Sequence, residues 1–218
     1  MRSGKLDVKG IMFDLDGTLL DTRPAYVEAA KIAFKTTGYS APNTAQMLQI
    51  PKLMEQKQSL SGIVQGNTKT FLAIYLKVFY SISASKTRLL PNVATTLETL
   101  SQKARLAVIT MRFMPGEAIR SELDQFQVGK YFAHVVTALD TPRPKPSPEA
   151  LIKAVAAMDV QMCECIIVGD STVDVQAGKA AGAKTVGVLS GLYTRAELAA
   201  ARPDYIINDA SELPALLV

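Results

Sequence analysis

The chain of 218 residues is long enough to bury one substantial hydrophobic core, with or without a modest insertion. Hydrophobic residues make up 48% and charged residues 20%, values near those of soluble globular proteins, which excludes extensive disorder. The formal net charge is +4, but the basic residues are spread along the chain without a basic stripe or a nucleic-acid-binding motif, so we expect no nucleic-acid partner.

The N-terminal stretch and the cysteines indicate where the protein resides. Charged residues interrupt positions 1–16, so they contain no recognisable secretory signal, and no apolar stretch approaches the ~20 residues that span a bilayer. Cys163 and Cys165 are too close for an ordinary disulfide and too few for a zinc site, which suits a reducing compartment. We therefore expect a cytoplasmic protein without a membrane partner.

The first predicted element is a buried strand over residues 8–15, and it leads into a group of acids. Asp14 and Asp16 lie in the sequence DLDGT, and Asp21 follows. A carboxylate at the end of an apolar strand costs free energy unless a cation or a proton neutralises it. We assign Asp21 to structure instead, as the N-cap of a helix that begins at Pro24 or as part of a hinge.

The segment after the first strand is predicted to be entirely helical. A helix over residues 24–37 ends at Gly38, which is typical of a helix C terminus. Six apolar side chains then follow at helical spacing on one stripe: Phe71, Ile74, Tyr75, Val78, Phe79 and Ile82. We predict a small helical domain over residues 22–87, inserted into a core domain formed by residues 1–21 and 88–218.

Strands and helices alternate through the remainder of the chain. Short apolar runs, typical of strands buried on both faces of a parallel sheet, lie at 106–110, 134–137, 166–168, 185–189 and 205–207. Segments of helical length lie at 92–103, 115–126, 147–158 and 172–181. This alternation predicts an α/β core with a doubly wound, Rossmann-like parallel sheet.

Polar side chains follow four of the predicted strands, at the edge where an open α/β sheet binds its ligand. They are Asp14 with Asp16, Thr110, Lys145, and Asp170 with Asp174. Two carboxylates ~4 Å apart repel by about 4 kcal/mol at an effective dielectric constant of ~20, so a divalent cation is favoured among them. Oxygen ligands without His or Cys favour Mg²⁺, and Lys145 with Thr110 would complete a pocket for a phosphoryl group.

In this order, the residues resemble the four motifs of the haloacid-dehalogenase-like (HAD) phosphohydrolase superfamily: DLDGT at 14–18, Thr110, Lys145, and GDSTVD at 169–174. The resemblance extends over residues 8–190, and the helical segment lies where that family has a helical cap. Residues 89–110 are also similar to the phosphoglycolate-phosphatase-like branch. The resemblance implies a Mg²⁺-dependent phosphatase that acts on a small phosphorylated metabolite, either phosphoglycolate-like or a sugar phosphate.

The resemblance also implies roles for the residues of the first motif. Asp14 would be the nucleophile that takes the phosphoryl group as an aspartyl phosphate. Asp16 would protonate the leaving oxygen and then deprotonate the attacking water. Gly17 would allow the tight turn that brings Asp16 to the site, and Thr18 would support the Asp16 carboxyl group.

A metal site is implied in the same way. The Asp14 side chain, the Asp16 backbone carbonyl and Asp170 would hold Mg²⁺. Asp174 would support them by orienting a metal-bound water or Lys145. Together with Asp14 and Asp16, Thr110 and Lys145 are the predicted catalytic residues.

Some residues depart from the phosphoglycolate-phosphatase branch or bear on alternatives to it. Met111 stands where that branch usually has Asn, and Asn92 where it often has Gly. Thr22 and Arg23 stand where phosphomutases of the superfamily have a His, which favours a phosphatase over a phosphomutase, and Asp16 argues against a dehalogenase. A non-catalytic, phospho-accepting regulatory module is the alternative from another class, but such a module has no cap.

Two lysines of the predicted cap are candidates for binding substrate. Lys52 and Lys57 lie in a segment at 50–58 that we predict to be a polar loop, and either could contact a substrate carboxylate or simply lie on a helix surface. His134 is needed by no step. We expect a monomer or a homodimer.

Overall fold

The structure is a computed structural model that describes residues 5–218. The chain divides into two compact units, of which one comprises the chain up to Leu20 together with Leu89–Val218 and the other comprises Asp21–Arg88. Each boundary lies one residue from the boundary expected from the sequence.

The first unit is built on a six-stranded sheet in which every pairing is parallel. Its strands are β1 (Gly10–Phe13), β4 (Arg105–Ile109), β5 (Phe132–Val136), β6 (Cys165–Gly169), β7 (Lys184–Val188) and β8 (Tyr205–Ile207), in the order β5-β4-β1-β6-β7-β8. A separate two-stranded sheet pairs β2 (Leu20–Asp21) with β3 (Arg88–Leu89). Strands β4 and β5 lie on one side of β1, and strands β6, β7 and β8 lie on the other. Such a switch point in the strand order opens a crevice at the carboxyl end of the central strand.

Helices cover both faces of this sheet, which confirms the predicted doubly wound α/β fold. They are α4 (Val93–Ser101), α5 (Gly116–Gln125), α6 (Glu149–Met158), α7 (Thr172–Ala181), α8 (Arg195–Ala201) and α9 (Leu213–Leu216). Alternate side chains of β1 enter different cores, because Ile11 and Phe13 pack with α4 and α5 whereas Met12 packs with α6 and α7. The sequence prediction did not include α8, although Thr194 and Glu197 form a capping box at its start.

The second unit contains three helices: α1 (Arg23–Thr37), α2 (Thr44–Glu55) and α3 (Thr68–Lys86). The predicted apolar stripe lies on α3, where Phe71, Tyr75 and Phe79 are buried. Phe71 contacts Phe34 of α1 with ring centroids 4.6 Å apart, so the aromatic rings form the centre of this core. As predicted, α1 ends at Gly38, whose φ of 72° is left-handed.

Two local expectations for this unit are wrong. The segment at 50–58 is not a loop throughout, because α2 continues to Glu55 with Pro51 inside it. Proline lacks a backbone N–H donor and often breaks a helix. Here α2 continues past Pro51, and Met47 and Ile50, about one turn apart before the proline, are buried. The N-cap of α1 is Thr22, not Asp21, and the alternative role of Asp21 as part of a hinge stays a prediction. The Asp21 carboxylate nevertheless accepts the backbone N–H of Arg23 at 3.2 Å, and the Arg23 side chain lowers the pKa of Asp21.

The backbone conformation at Asn92 explains why glycine is favoured at this position. Its φ of 62° and ψ of 0° place it in the left-handed region, immediately before α4. Glycine adopts this conformation without strain, and asparagine is among the few other residues that tolerate it. The departure at Asn92 therefore preserves the local backbone.

Two further observations concern membrane-spanning segments and the cysteines. No helix within residues 5–218 is long and apolar enough to cross a membrane. Cys165 is buried in β6, where burial raises the pKa of its thiol to about 11, whereas Cys163 is exposed.

Candidate active site

The predicted strand-end residues meet at one edge of the sheet. Asp14 directly follows β1, Thr110 follows β4 and Asp170 follows β6. These three strands are adjacent and parallel, so their carboxyl ends coincide. All three side chains are buried, and the sheet thereby gathers residues from distant parts of the chain into one place.

Lys145 supplies the positive charge opposite the acids. Its Nζ donates to Asp14 Oδ1 at 2.6 Å, to Asp174 Oδ1 at 2.5 Å and to the carbonyl oxygen of Ile109 at 3.2 Å. The lysine side chain is 1% exposed. Burial disfavours its charged form, but the carboxylates of Asp14 and Asp174 outweigh this and raise the pKa of Lys145 above its usual value. We call these three residues the Lys145 network.

The acids outnumber the positive charge at this point. Asp14, Asp170 and Asp174 each place a carboxylate oxygen within 4.8 Å of the others. Burial, and then the carboxylates of Asp174 and Asp16, raise the pKa of Asp14 well above its usual range, despite the opposing effect of Lys145. The cluster therefore retains an excess of negative charge that a divalent cation would neutralise.

Asp174 is held at the start of helix α7. Its Oδ2 accepts hydrogen bonds from the backbone N–H of Ser171 at 3.2 Å and from Ser171 Oγ at 2.8 Å. Ser171 Oγ in turn accepts the backbone N–H of Asp174 at 3.4 Å, which completes a capping box. With Oδ1 bonded to Lys145, both Asp174 oxygens are engaged, so this carboxylate fixes Lys145 and at the same time caps the helix.

Asp170 lies in a tight backbone cradle. Its Oδ2 accepts the backbone N–H of Leu192 at 3.0 Å. A Cβ atom on Gly191 would lie 1.7 Å from that oxygen, and a Cβ atom on Gly17 would lie 2.7 Å from it. Gly17 also has the positive φ of 81° that the predicted tight turn requires. The backbone at Gly17 and Gly191 approaches Asp170 so closely that a side chain at either position would clash with it.

Asp16 pairs with a residue that the sequence analysis did not single out. Arg112 Nε donates to Asp16 Oδ2 at 2.9 Å and Arg112 Nη2 donates to Asp16 Oδ1 at 2.6 Å, which forms a bidentate fork. Arg112 Nη1 donates to Glu122 Oε2 at 2.6 Å, and the Arg112 and Glu122 side chains are each 2% exposed. We call these three residues the Arg112 network.

A signal for this network exists in the sequence. Glu122 lies between Ile119 and Leu123 on the buried face of α5, at the spacing of an apolar stripe. A carboxylate in such a stripe requires a buried positive partner, because an unpaired buried charge is costly. In the structure that partner is Arg112, ten residues earlier.

The contact expected of Thr18 is not formed within residues 5–218, whereas the role expected of Thr110 stays a prediction. Thr18 is buried, but its hydroxyl oxygen has no hydrogen-bond partner within residues 5–218, so the expected support of the Asp16 carboxyl group is absent and Arg112 supplies it instead. Thr110 Oγ1 accepts the backbone N–H of Arg112 at 3.2 Å. The Thr110 hydroxyl retains its proton to donate elsewhere.

The remaining candidates are not residues of the Lys145 or Arg112 networks. Lys52 is buried in α2, and Lys57 is exposed beyond its end with a left-handed φ of 54°. Both belong to the helical unit, and their role in substrate binding stays a prediction. His134 is half-buried on β5, a strand at the edge of the sheet.

Comparisons with known proteins identify similar sequences. A family model described as haloacid dehalogenase-like hydrolase matches residues 11–188. The chain is 31% identical to a phosphoglycolate phosphatase of Vibrio parahaemolyticus, and the alignment covers 95% of each protein. It is 27% identical to phosphoglycolate phosphatase 1 of Pseudomonas aeruginosa, over 93% of this chain and 77% of that one.

A solved structure shows the same fold. A hydrolase of the haloacid dehalogenase-like family from Streptococcus pneumoniae superposes with a TM-score of 0.80, covering 96% of this chain and 98% of that one. The sequence identity is 21%, so this likeness concerns the fold alone.

Proposed function

The chain belongs to the haloacid dehalogenase-like hydrolase family and is a phosphatase, and we propose that it hydrolyses a small phosphate monoester through a phosphorylated Asp14 with Mg²⁺ as its cofactor. One observation carries the proposal. Asp14 is a buried carboxylate whose Oδ1 accepts a hydrogen bond from Lys145, while its Oδ2 accepts none within residues 5–218. Such an oxygen can act as a nucleophile, and the lysine beside it can receive an anionic group.

The contacts of the neighbouring acids favour Asp14 over them for this role. Both oxygens of Asp174 are engaged, one by Lys145 and one by Ser171. Asp170 is enclosed by the backbone of Gly17 and Gly191. The Asp16 oxygens are both bonded to Arg112. Asp14 Oδ2 accepts no hydrogen bond within residues 5–218 and is therefore the better nucleophile, whereas each Asp16 oxygen keeps one lone pair for proton exchange.

The reaction has two balanced steps. In the first, an Asp14 oxygen forms a bond to phosphorus while the bond from phosphorus to the ester oxygen breaks, and Asp16 gives its proton to the departing oxygen. In the second, Asp16 takes a proton from water as the water oxygen bonds to phosphorus and the bond from Asp14 to phosphorus breaks. Alcohol and inorganic phosphate leave, and Asp14 and Asp16 return to their starting states.

Lys145 and Thr110 would stabilise the transferring group. The protonated Nζ of Lys145 lies against Asp14 and places a fixed positive charge where the phosphoryl oxygens would gather. Thr110 follows β4 with a hydroxyl group that can donate one hydrogen bond. Preorganised charge of this kind is the main means by which a protein accelerates phosphoryl transfer.

The donor set fits Mg²⁺. The side chains of Asp14 and Asp170 and the backbone carbonyl of Asp16 are the ligands we propose, all of them oxygen donors. Burial, and then the neighbouring carboxylates, raise the pKa of Asp14, and a bound cation would favour its ionised form. When bound, the ion would neutralise charge on the phosphoryl group and on the acids.

The names of the relatives suggest the substrate class. The two relatives compared above are described as phosphoglycolate phosphatases. We therefore propose 2-phosphoglycolate or a small sugar phosphate as substrate, with the Asp21–Arg88 unit acting as the cap of the family. The cytoplasmic location and the monomeric or homodimeric state stay predictions from the sequence.

A panel of phosphate esters tests this function. We expect release of inorganic phosphate from 2-phosphoglycolate or a sugar phosphate in the presence of Mg²⁺, and none in the presence of a chelator. Nucleotides and pyrophosphate complete the panel. Absence of Mg²⁺-dependent release from every ester would contradict the proposal. Stable labelling of Asp14 by acetyl phosphate without turnover would instead indicate the phospho-accepting regulatory module.

A further inference from the structure

The Arg112 network places a second buried cation beside the proposed acid/base, and the proposed mechanism does not use it. Two of its hydrogen bonds reach the Asp16 carboxylate at 2.6 and 2.9 Å, and a third reaches Glu122 at 2.6 Å. The Asp16 side chain is 16% exposed, whereas that of Arg112 is 2% exposed. Arg112 is therefore too enclosed to bind a substrate, but it directly contacts a residue that is accessible to one.

The backbone of Arg112 is fixed as firmly as its side chain. Its N–H donates to Thr110 Oγ1 at 3.2 Å, and its carbonyl oxygen accepts the N–H of Ala138 at 3.2 Å. The residue is thus tied to the ends of β4 and β5, while its guanidinium group reaches the end of β1. Glu122 holds that group from helix α5.

The planar fork determines where the Asp16 carboxylate points. Two parallel N–H groups match both oxygens of a carboxylate, so rotation of the Asp16 side chain would break both bonds. A lysine at the same place would supply the charge without this directional constraint. Misplacement of a catalytic group by about 1 Å can reduce a rate by ~10²-fold, so such a constraint matters for proton transfer.

We infer that Arg112, held by Glu122, is a positioning residue that aims the Asp16 carboxyl group at the leaving-group oxygen. This inference rests on the proposed function, because it concerns the proton that Asp16 gives to the departing oxygen. It names no new contact to the substrate. Met111, which stands where the phosphoglycolate-phosphatase branch usually has Asn, directly precedes Arg112 in the chain.

The leaving group of the substrate provides the test. An alkoxide leaving group, as in 2-phosphoglycolate, needs a proton as it departs, whereas p-nitrophenolate departs without one. We expect Arg112→Met to lower kcat/KM by about 10²-fold or more for the best alkyl phosphate and by less than ~10-fold for p-nitrophenyl phosphate. Because kcat/KM reports phosphoryl transfer to Asp14, the later hydrolysis step does not mask the difference. The inhibition constant of inorganic phosphate should stay within about 3-fold, since Lys145 and Asp14 are unchanged.

Further variants separate position from charge and from folding. Arg112→Lys keeps the charge and should show most of the same selective loss. Arg112→Met combined with Glu122→Met replaces the buried pair by apolar side chains, which avoids an unpaired Glu122 and keeps the protein folded. Glu122→Gln retains an acceptor for Arg112 and should give a smaller loss in the same direction. In an Asp16→Asn background, Arg112→Met should change kcat/KM by less than ~3-fold for the alkyl phosphate and for p-nitrophenyl phosphate, because the effect of Arg112 passes through Asp16.

Arg120 offers a matched control. It is a partly buried arginine on α5 that donates to the carbonyl oxygens of Gly129 and Phe132, away from the acids. Arg120→Met should lower the melting temperature while leaving the ratio of the two kcat/KM values within about 2-fold. If the folded Arg112 variants also leave that ratio unchanged, or raise turnover of the alkyl phosphate, Arg112 does not position Asp16. If the unmodified protein hydrolyses neither ester, the proposed function fails and this inference fails with it.

Discussion

Two buried cations lie at the same edge of the central sheet, and they hold their carboxylates in different ways. Lys145 donates one hydrogen bond each to Asp14 and Asp174, as a point charge between two acids. Arg112 donates two parallel bonds to Asp16 and one to Glu122. Within residues 5–218, the lysine leaves Oδ2 of Asp14 without a donor, whereas the arginine engages both oxygens of Asp16. The first arrangement favours nucleophilic attack and phosphoryl binding, and the second favours the orientation of a side chain.

The difference also concerns the balance of charge. The Lys145 network lies beside Asp170, so three carboxylates share one ammonium group there. In the Arg112 network one guanidinium group faces two carboxylates. We therefore expect an added divalent cation to bind at the Lys145 network and not at the Arg112 network.

The largest expected effect is that of Asp14→Asn. The substitution removes the attacking oxygen, so turnover of the best substrate should fall by at least ~10³-fold. Without Mg²⁺ the melting temperature should be unchanged or higher, because burial raises the pKa of Asp14 and its anion destabilises the fold. Steady-state kinetics and thermal melts measure both quantities.

The exposed Asp7 provides the control, since Asp7→Asn should keep full activity. An Asp14→Asn protein that retained a tenth or more of the activity would show that Asp14 is not the nucleophile.

Lys145→Met should have the next largest effect. It leaves Asp14 and Asp174 buried without their positive partner, so the free energy of unfolding should fall by about 3–5 kcal/mol. Lys153→Met is the matched control, because Lys153 forms a surface ion pair with Asp140 and should contribute less than ~1 kcal/mol. Urea denaturation near neutral pH compares the two. Equal losses would mean that the Lys145 network does not differ from a surface pair.

The smallest expected effect is the response of the melting temperature to Mg²⁺. The pKa of Asp14 is higher in the folded protein than in the unfolded chain. The folded protein therefore loses stability as the pH rises from the unfolded pKa towards the folded pKa, and this loss persists at higher pH. Mg²⁺ binds the ionised form, so it should raise the melting temperature by a few degrees near pH 7.5 and by less near pH 5.

Two variants assign this response to one network. Asp170→Asn removes a proposed ligand and should abolish the increase in melting temperature. The Arg112→Met and Glu122→Met double variant should retain the increase, because neither side chain is a proposed ligand. An increase lost in the double variant but kept in Asp170→Asn would reverse the division between the networks.

The helical unit shows where local patterns suffice and where they fail. The stripe through Phe71, Tyr75 and Phe79 predicted α3, because a helix repeats its buried face every three to four residues. The polar segment at 50–58 was predicted to be a loop, yet α2 continues through Pro51 to Glu55, with Met47 and Ile50 buried. Lys52 was expected on a loop or a helix surface, but it is buried, and burial depends on neighbours that a local pattern does not contain.

By itself the sequence determined the α/β core, the position of the helical segment and the convergence of Asp14, Thr110, Lys145 and Asp170. Parallel buried strands have a recognisable composition, and residues that follow such strands must meet at one edge of the sheet. Only the tertiary structure decided the contact between Arg112 and Asp16, which joins residues far apart in the chain. A side chain in a loop has no periodicity to predict its direction, and its partner is determined by the geometry of three strand ends and a helix. The sequence therefore identified residues that meet at the site, and the fold determined which cation contacts which acid.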